Sequence, residues 1–369
     1  MSEYIHIVSL IAPSPPNFGG AFDLFYKIPA LAKAGKKIIL HYFDYKEGRG
    51  VEGLEQYCVE INKYNRTVFL KSLLSLKPYI ISSRIEAELI HRLNRDDHPV
   101  LLEGIHCTGI IPSLNKRKIL VRIHNDEAEY YQQLYQNESN VLKSFYFLYE
   151  ATLLKFYQKK LSLDPTFVFV SEEDQEIFKT KYHQRNQIFL PCFLPWQKTS
   201  SVTGKGNYCL YHGNLSVSEN IYAALWLASS IFSQIDFTLI ITGKNANELK
   251  DKLPENSNIQ LIETPSDDEL SLLIRDAHIN VLPSFNNTGV KLKFLHAMFE
   301  GRFCVTNEAG AKGSGLHSGF HTANDNESMI QLIKELLSKE FTEEDIRQRS
   351  ELARLYNNDI NAEKLIELL

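Results

Sequence analysis

The sequence predicts an α/β protein made of two doubly wound, parallel-sheet domains that face each other across a cleft. Short apolar runs alternate with helical patterns in both halves, as in parallel sheets covered by helices on both faces. The chain has 369 residues, 44% of them hydrophobic, which suffices for two domains of ordinary size. Residues 194–206 are polar and rich in breakers. We therefore expect domains at 1–193 and 207–350, with helices at 351–369 packing back toward the first domain.

The first half opens with a βαβ unit. Tyr4 to Leu10 is an apolar run, Ala21 to Ala34 has a helical pattern, and Lys37 to Phe43 is the next strand. The loop before the helix carries the glycine pair Gly19 and Gly20, and ligands of such sheets bind at the loops that follow the strands. Further strands are predicted at 67–70, 99–103, 119–124 and 166–171.

A long helical region rich in Tyr, Phe, Leu and Lys is predicted between residues 124 and 166. Core packing is the favoured interpretation of its aromatic stripe. The alternative is that the stripe and its lysines lie on a membrane surface.

The second half repeats the βα alternation. Gly310, Gly313 and Gly315 resemble a dinucleotide fingerprint only loosely, because no helix opens on them. A dehydrogenase is therefore the least favoured function. Strands are predicted at 208–212, 237–242, 259–262 and 279–282, and helices at 218–233 and 267–276.

The stretch from Pro283 to Thr306 is predicted to contain a polar loop, a helix and a strand. We place the helix from Gly289 to Glu300, with Thr288 as its N-cap and Gly301 just past its end. No acidic residue occupies its first ten positions, although helix N-termini favour negative charge. An external anion would supply that charge.

Two lysines occupy the first turn of this predicted helix. At about 100° per residue, Gly289, Lys293 and His296 share one face, and Lys291 projects from another side of the same turn. Unpaired N–H groups, a glycine and two lysines together describe a phosphate cradle. The alternatives are that the lysines are simply solvated and that the histidine is packed.

Charge and cysteine content bear on the partners and on the compartment of the protein. The formal net charge of −5 gives no reason to expect nucleic acid as a partner. The five cysteines are scattered and form no C-x-x-C pair, which favours buried thiols in a reducing compartment over a metal site. No signal peptide or spanning segment is visible, so we expect a cytoplasmic protein.

The run from Gly289 to Met298, Gly-Val-Lys-Leu-Lys-Phe-Leu-His-Ala-Met, resembles the donor-binding signature of GT-B glycosyltransferases, especially the large retaining group called family 4 or group 1. Many relatives have a ribose-binding glutamate where this chain has His296, and an earlier acid where it has Thr288. Weaker matches are Gly19-Gly20, Tyr211-His-Gly213-Asn214, Ile240-Ile-Thr242-Gly243, Val168-Phe-Val-Ser171 and Arg122-Ile-His124-Asn-Asp-Glu127.

The resemblance implies a hexosyltransferase-like enzyme whose first domain binds the acceptor and whose second binds a nucleotide-diphosphate sugar. It implies transfer to a glycan or lipid-linked acceptor, with retention, no metal and no cofactor besides the donor, in polysaccharide or glycolipid assembly at the inner face of the membrane. The alternative is a nucleotide-sugar-binding partner subunit without catalysis. The implied catalytic residues are His124, Lys291 and Lys293, and the implied donor contacts are Gly19, Gly20, Gly213, Asn214, Thr242, Gly243, Thr288, Gly289, Val290 and His296.

Overall fold

The computed structural model forms two compact units. The first comprises Met1–Pro195, Thr288–Val290 and Tyr356–Leu369, and the second comprises Trp196–Asn287 and Lys291–Leu355. The residues that the structure describes are 2–17, 19–67, 76–138, 140–161, 165–255, 258–286 and 288–369.

The first unit contains a seven-stranded sheet in the order β3-β2-β1-β4-β5-β6-β7, and every neighbouring pair is parallel. Its central strands are buried on both faces, because a separate apolar cluster packs on each side of the sheet. The strands are β1 (Tyr4–Ser9), β2 (Lys37–Asp44), β3 (Cys58–Asn65), β4 (Val100–Glu103), β5 (Ile119–Ile123), β6 (Thr166–Phe169) and β7 (Gln187–Phe189).

Helices flank this sheet, and the last helix of the chain belongs to them. Ala362 and Leu365 of that helix are fully buried in the cluster that includes Ile5 and Ile7 of β1. The α-helices of this unit are Gly19–Lys33, Tyr79–Ser82, Ala87–Leu93, Glu127–Asn137, Val141–Lys160, Glu172–Lys181 and Asn358–Glu367, with 3-10 turns at Glu55–Tyr57 and Ile105–Ser113.

The second unit contains a six-stranded parallel sheet in the order β10-β9-β8-β11-β12-β13. Its strands are β8 (Cys209–His212), β9 (Leu239–Gly243), β10 (Ile259–Glu263), β11 (Ile279–Val281), β12 (Phe303–Thr306) and β13 (His321–Thr322). Its α-helices are Ser218–Trp226, Asp267–Asp276, Leu292–Glu300, Glu308–Ala311, Asn326–Ser338, Glu343–Gln348 and Ser350–Leu355, and shorter turns lie at Leu227–Ile231, Phe232–Gln234 and Ala246–Lys252.

The predicted fold class, two Rossmann-like domains with parallel sheets, is confirmed, while three strands were not predicted. These are β3, β7 and β13. Only Thr67 of the strand predicted at 67–70 lies in the described residues, and it is not in a strand. The strand at this edge of the sheet runs earlier, at Cys58–Asn65, where exposed and buried residues do not alternate cleanly.

Two predictions about local structure were wrong. Gly19 and Gly20 lie in the first turn of their helix and not in the preceding loop. The later helix begins at Leu292, with Lys291 and not Thr288 at the N-cap position. Gly289 has φ +65°, a left-handed conformation that cannot continue into a right-handed helix. Gly289 therefore does not share a helix face with Lys293 and His296.

Candidate functional site

A buried group of charged side chains lies at the carboxyl ends of β4 and β5 in the first unit. The Lys27 ammonium is 2.6 Å from Glu103 Oε1 and 2.8 Å from Asp23 Oδ2. Arg122 donates to Asp23 from Nε at 3.0 Å and from Nη2 at 3.1 Å. His124 Nε2 lies 3.2 Å from Glu103 Oε2, so the catalytic candidate of this unit has a carboxylate partner.

Both carboxyl groups of this cluster are ionised. Burial opposes the charged form of Asp23, but Arg122 and Lys27 outweigh it and hold the pKa of that carboxyl below its usual value. Burial likewise opposes the charged form of Glu103, yet Lys27 and His124 lower its pKa. The two acids and two cations nearly cancel in charge, and the Glu103 carboxylate remains available to orient the His124 ring.

The same cluster contains a set of atoms with the spacing of metal ligands. Asp23, Glu103 and His124 each offer one such atom, and these atoms lie within 4.8 Å of one another. The Lys27 ammonium, however, already lies within hydrogen-bond distance of both carboxylates, at the position a cation would take. The geometry therefore fits an internal cation better than a bound metal.

The structure brings His124 next to the glycine pair. A Cβ added at Gly20 would lie 3.6 Å from His124 Cδ2, whereas one added at Gly19 would meet nothing within 4 Å. Their N–H groups belong to the first turn of a helix, where intrahelical acceptors are lacking. The His124 side chain is 13% exposed, so a ligand at this helix start can reach its ring.

Lys293 is the best-defined candidate of the second unit. Its ammonium lies 3.1 Å from Tyr211 Oη and 3.0 Å from Asn220 Oδ1, and 4.7 Å from the centre of the Tyr211 ring. Burial lowers the pKa of Lys293 to about 8; Glu219 opposes this shift and the charge of Lys291 adds to it. Lys293 is thus a desolvated cation held by neutral oxygens.

No carboxylate lies within 4.0 Å of the Lys293 ammonium in the part of the chain that the structure describes. An ammonium has three N–H donors, and the two oxygens of Tyr211 and Asn220 account for two of them. A buried charge is costly unless it is paired. An anion at the start of helix Leu292–Glu300 would pair it.

Asn220 connects Lys293 to the loop after β8. Its Nδ2 donates to Asn214 O at 2.9 Å while its Oδ1 accepts from Lys293. The neighbouring loops are packed so closely that a Cβ at Gly243 would lie 1.9 Å from Gly213 O, and Gly243 has φ +137°. The structure therefore brings Gly213, Asn214, Gly243 and Lys293 into one region.

The remaining donor-binding candidates are placed differently. Thr242 is fully buried and donates its hydroxyl to Ile262 O at 2.8 Å, which makes it part of the sheet edge. His296 Nε2 lies 2.9 Å from Glu300 Oε2, and its ring stacks on Trp196 at 4.1 Å between centroids. That ring nitrogen already has a partner within its own helix.

Four residues of the two groups were not predicted from the sequence: Asp23, Lys27, Glu103 and Asn220. Tyr211 occurs in one of the weaker motif matches but was given no role of its own. One signal was available, because Asp23 and Lys27 are spaced i, i+4 on the face of a helix that otherwise packs on the sheet. Charges at core positions of a helix require partners. For Asn220 no such signal exists, since an asparagine in a first helical turn is common.

Comparison with known proteins places these residues in context. Residues 206–339 match the sequence family described as Glycosyl transferases group 1. An uncharacterized 44.6 kDa protein in the cps region of Klebsiella pneumoniae is 27% identical over 338 residues, which cover 85% of each chain.

Solved structures resemble the whole chain. Sucrose-phosphate synthase from Thermosynechococcus elongatus superposes with a TM-score of 0.71 at 12% identity, covering 100% of this chain and 98% of that one. The Anabaena protein Alr3699/HepE, solved in complex with UDP and glucose, gives a TM-score of 0.64 at 12% identity, with 98% of both chains covered. At these identities the likeness concerns the fold.

Proposed function

We propose that this chain, whose residues 206–339 form a group 1 glycosyltransferase domain within a GT-B fold, moves a sugar from a nucleotide-diphosphate sugar to a glycan or lipid-linked acceptor. The transfer retains anomeric configuration and uses no metal. The observation that carries this proposal is Lys293, a partly buried ammonium without a carboxylate partner among the described residues, at the start of a helix in the matched domain.

The leaving group of such a transfer is a nucleoside diphosphate, on which negative charge develops. Fixed donors that meet this charge stabilise the transition state without reorganising. Lys293, Lys291 and the N–H groups that open helix Leu292–Glu300 are such donors. Tyr211 and Asn220 hold the Lys293 ammonium in one position, which supplies the required preorganisation.

His124 of the first unit is the residue that we propose to contact the transferred sugar or the acceptor. The ionised Glu103 fixes the ring through its hydrogen bond with Nε2. Glu103 in turn is held by Lys27. His124 is therefore oriented by the first unit itself before any ligand binds.

Polysaccharide assembly is the process we propose. The Klebsiella relative is described by its position in a cps region, and this supports a glycan acceptor. The second candidate function is a nucleotide-sugar-binding subunit without catalysis. It is favoured by His296, whose Nε2 pairs with Glu300 where many relatives are expected to place a ribose-binding carboxylate.

A peripheral membrane contact is part of the proposal. Helix Val141–Lys160 exposes an apolar stripe and four lysines, while its single acid, Glu150, is buried. Anionic lipid attracts such a surface. Among the described residues, no helix has the length and hydrophobicity to cross a bilayer. The stripe consists of Val141 (66% exposed), Leu142 (82%), Phe145 (66%), Tyr149 (41%) and Phe156 (59%), and the lysines are Lys143, Lys155, Lys159 and Lys160.

Vesicle flotation tests this contact. We expect the protein to float with vesicles that contain phosphatidylglycerol, and the double variant Phe145→Ser/Phe156→Ser to stay in the dense fraction. The double variant Leu272→Ser/Ile360→Ser serves as the control, because both residues are exposed but lie on other helices. Equal flotation of all three proteins would contradict the assignment.

Ligand screening followed by an activity assay tests the function. Thermal shifts with UDP, GDP, ADP and their common sugar conjugates identify the donor, and release of free sugar from that donor reports catalysis. An enzyme hydrolyses the donor slowly in the absence of acceptor. Donor binding without hydrolysis or transfer would favour the non-catalytic subunit instead.

A further inference from the structure

Two arginines stand at the carboxyl edge of the first unit's sheet, apart from the cluster around His124. Arg84 is 2% exposed and donates from Nε to Leu10 O at 3.0 Å, from Nη2 to Tyr45 Oη at 3.1 Å and from Nη1 to Ile80 O. Arg66 is partly exposed and donates from Nε and Nη2 to Ser83 Oγ at 3.1 and 2.9 Å. Each guanidinium is thus fixed in place by neutral oxygens.

Aromatic rings hold the two guanidinium groups close together. Arg66 Cζ lies 4.4 Å from the centre of the Tyr45 ring and 4.7 Å from that of Tyr79, and Arg84 Cζ lies 5.3 Å from the Tyr45 ring. A guanidinium stacked on aromatic faces loses little freedom when it binds a ligand. Tyr45 is 37% exposed, so the shared ring marks where this pair meets solvent.

Glu127 lies close enough to Arg84, and Glu150 to Arg66, for their charges to interact, but neither acid forms an ion pair with these arginines. In the described residues, no carboxylate lies within 4.0 Å of either guanidinium. Glu150 accepts from the Tyr79 backbone N–H at 2.9 Å, and Glu127 accepts from Asn125 Nδ2 at 3.2 Å. Burial raises the pKa of Glu127 to about 7, which removes part of its charge near neutral pH. Two fixed like charges of this kind are expected to attract an anion.

The position of the pair relates it to the proposed reaction. Tyr45 and Arg66 directly follow β2 and β3, while His106 and His124 follow β4 and β5 of the same sheet. Burial holds the pKa of His106 well below its usual value, and the charges of Arg84, His124 and Arg66 add to this shift. The arginines and His124 therefore lie at the same edge of one parallel sheet, the edge at which ligands of such sheets bind.

We propose that Arg66, reinforced by the buried charge of Arg84 beside it, binds an anionic group, a phosphate or a carboxylate, carried by the acceptor. This inference rests on the proposed glycosyltransferase function and specifies its acceptor. The planar guanidinium of Arg66 suits the paired oxygens of both groups, and binding supplies an ion-pair partner that neither arginine has within 4.0 Å among the described residues. An acceptor anion held here brings a neighbouring hydroxyl toward His124.

Titration of three sugars into the full chain tests the inference. Glucose 6-phosphate and glucuronate distinguish a phosphate from a carboxylate, and methyl glucoside is the neutral reference. The variants are Arg66→Gln, Arg66→Lys and Lys293→Ala. Arg95→Gln is the matched control, because Arg95 is exposed and the change removes the same charge.

We expect at least one anionic sugar to bind the wild type more tightly than methyl glucoside does. Arg66→Gln weakens this binding by about tenfold or more, since hydrogen bonds between charged groups are strong. Arg66→Lys keeps the charge but loses the fork and the stacking, so its loss is intermediate. Arg95→Gln binds as the wild type does, and Lys293→Ala loses less affinity for the anionic sugar than Arg66→Gln does. Thermal melts check that each variant is folded.

Three outcomes would overturn the inference. The first is that methyl glucoside binds as tightly as the anionic sugars, and the second is that neither anionic sugar binds. The third is that Lys293→Ala abolishes binding and Arg66→Gln does not, which would assign the anion to the second unit. This third outcome would leave the proposed function standing. The function itself would be refuted if the wild type bound no sugar nucleotide in the thermal-shift screen.

Discussion

The protonation of Lys293 predicts how donor binding depends on pH. Its pKa is lowered to about 8 by burial, and a bound diphosphate favours the charged form and raises that pKa. Affinity for a nucleoside diphosphate is therefore greatest below pH 8 and falls as the pH rises through 8. We expect a loss of about tenfold between pH 7.5 and 9.5, a range above the terminal phosphate pKa of about 6.

Calorimetric titrations across that pH range measure this dependence. Lys293→Met removes the titrating group and should bind weakly with a flat profile. A profile that stays equally steep in Lys293→Met would assign the dependence to another group.

The buried charge cluster predicts a large effect on stability. Lys27→Met leaves Asp23 and Glu103 with one cation fewer, and breaking a buried ion pair in this way costs about 3–5 kcal/mol. Lys33→Met is the control, because the ion pair of Lys33 with Asp359 is exposed and is worth less than about 1 kcal/mol. Urea unfolding of the full chain, followed by circular dichroism, compares the free energies of unfolding of the two variants. Equal losses would mean that the cluster contributes no more than a surface pair.

At the scale of residues, the candidate site residues could be named from the sequence, whereas the side chains that hold them could not. His124, Gly20 and Lys293 occur in recognisable patterns. Glu103 and Asn220 reach them only through the folded sheets, so their roles depend on strand order and not on local sequence. The contact of His296 with the donor ribose stays a prediction. Its Nε2 is engaged by Glu300, so this nitrogen would have to leave that partner to bind a ribose hydroxyl.

At the scale of elements, the loops after β8 and β9 depend on glycine. A Cβ at Gly243 would overlap the Gly213 carbonyl oxygen at 1.9 Å, and the φ of +137° is unfavourable for other residues. Gly243→Ala should lower the free energy of unfolding of the second unit by more than about 2 kcal/mol. Lys293 depends on the same loops through Asn220, so nucleotide binding should weaken as well.

A second glycine provides the matched control. Gly19→Ala introduces a Cβ that meets nothing within 4 Å, in a helix where alanine is favoured. Its free energy of unfolding should stay unchanged or rise by up to about 1 kcal/mol. If Gly243→Ala and Gly19→Ala have the same free energy of unfolding in chemical denaturation, the loops after β8 and β9 do not approach each other as closely as described.

The central strands and helices could be predicted, whereas the edges of both sheets could not. Buried parallel strands are continuous apolar runs, and that pattern is visible in β1, β2, β5 and β8. β7 and β13 have three and two residues, too few to show any period. The start of helix Leu292–Glu300 was misplaced because lysine is a poor N-cap, and the sequence offered Thr288 as a better one.

At the scale of the whole molecule, the chain returns to its first unit at the end. Leu365 is fully buried in the core around β1, and Ile360 of the same helix is 43% exposed. Leu365→Ala should destabilise the first unit by about 2–5 kcal/mol, and Ile360→Ala by less than about 1 kcal/mol. Hydrogen exchange followed by mass spectrometry locates the effect: peptides from β1 and β2 should exchange faster in Leu365→Ala. Faster exchange confined to the second unit would contradict this assignment.

The fold of the whole chain confirms the predicted two-domain architecture, and the match of residues 206–339 to the group 1 glycosyltransferases agrees with the family that the sequence resembles. The sequence could support this because the second domain contains a Gly-x-Lys-x-Lys run that resembles the donor-binding signature of that family. It could not name the acceptor, since the arginine pair that we assign to it lies in segments with no recognisable motif. Arg66 and Arg84 meet only when β3 folds beside β2.

The most direct test of the central claim is a comparison of nucleoside diphosphate and nucleoside binding in the wild type and in Lys293→Ala. The base is chosen by the thermal-shift screen, and Lys334→Ala serves as the control, because Lys334 is exposed and lies on another helix of the same unit, Asn326–Ser338. We expect Lys293→Ala to weaken diphosphate binding by about tenfold or more, since charge-assisted hydrogen bonds contribute about 1.5–3 kcal/mol, and to leave nucleoside binding unchanged. Unchanged diphosphate affinity in Lys293→Ala would contradict the assignment of this partly buried lysine to the donor.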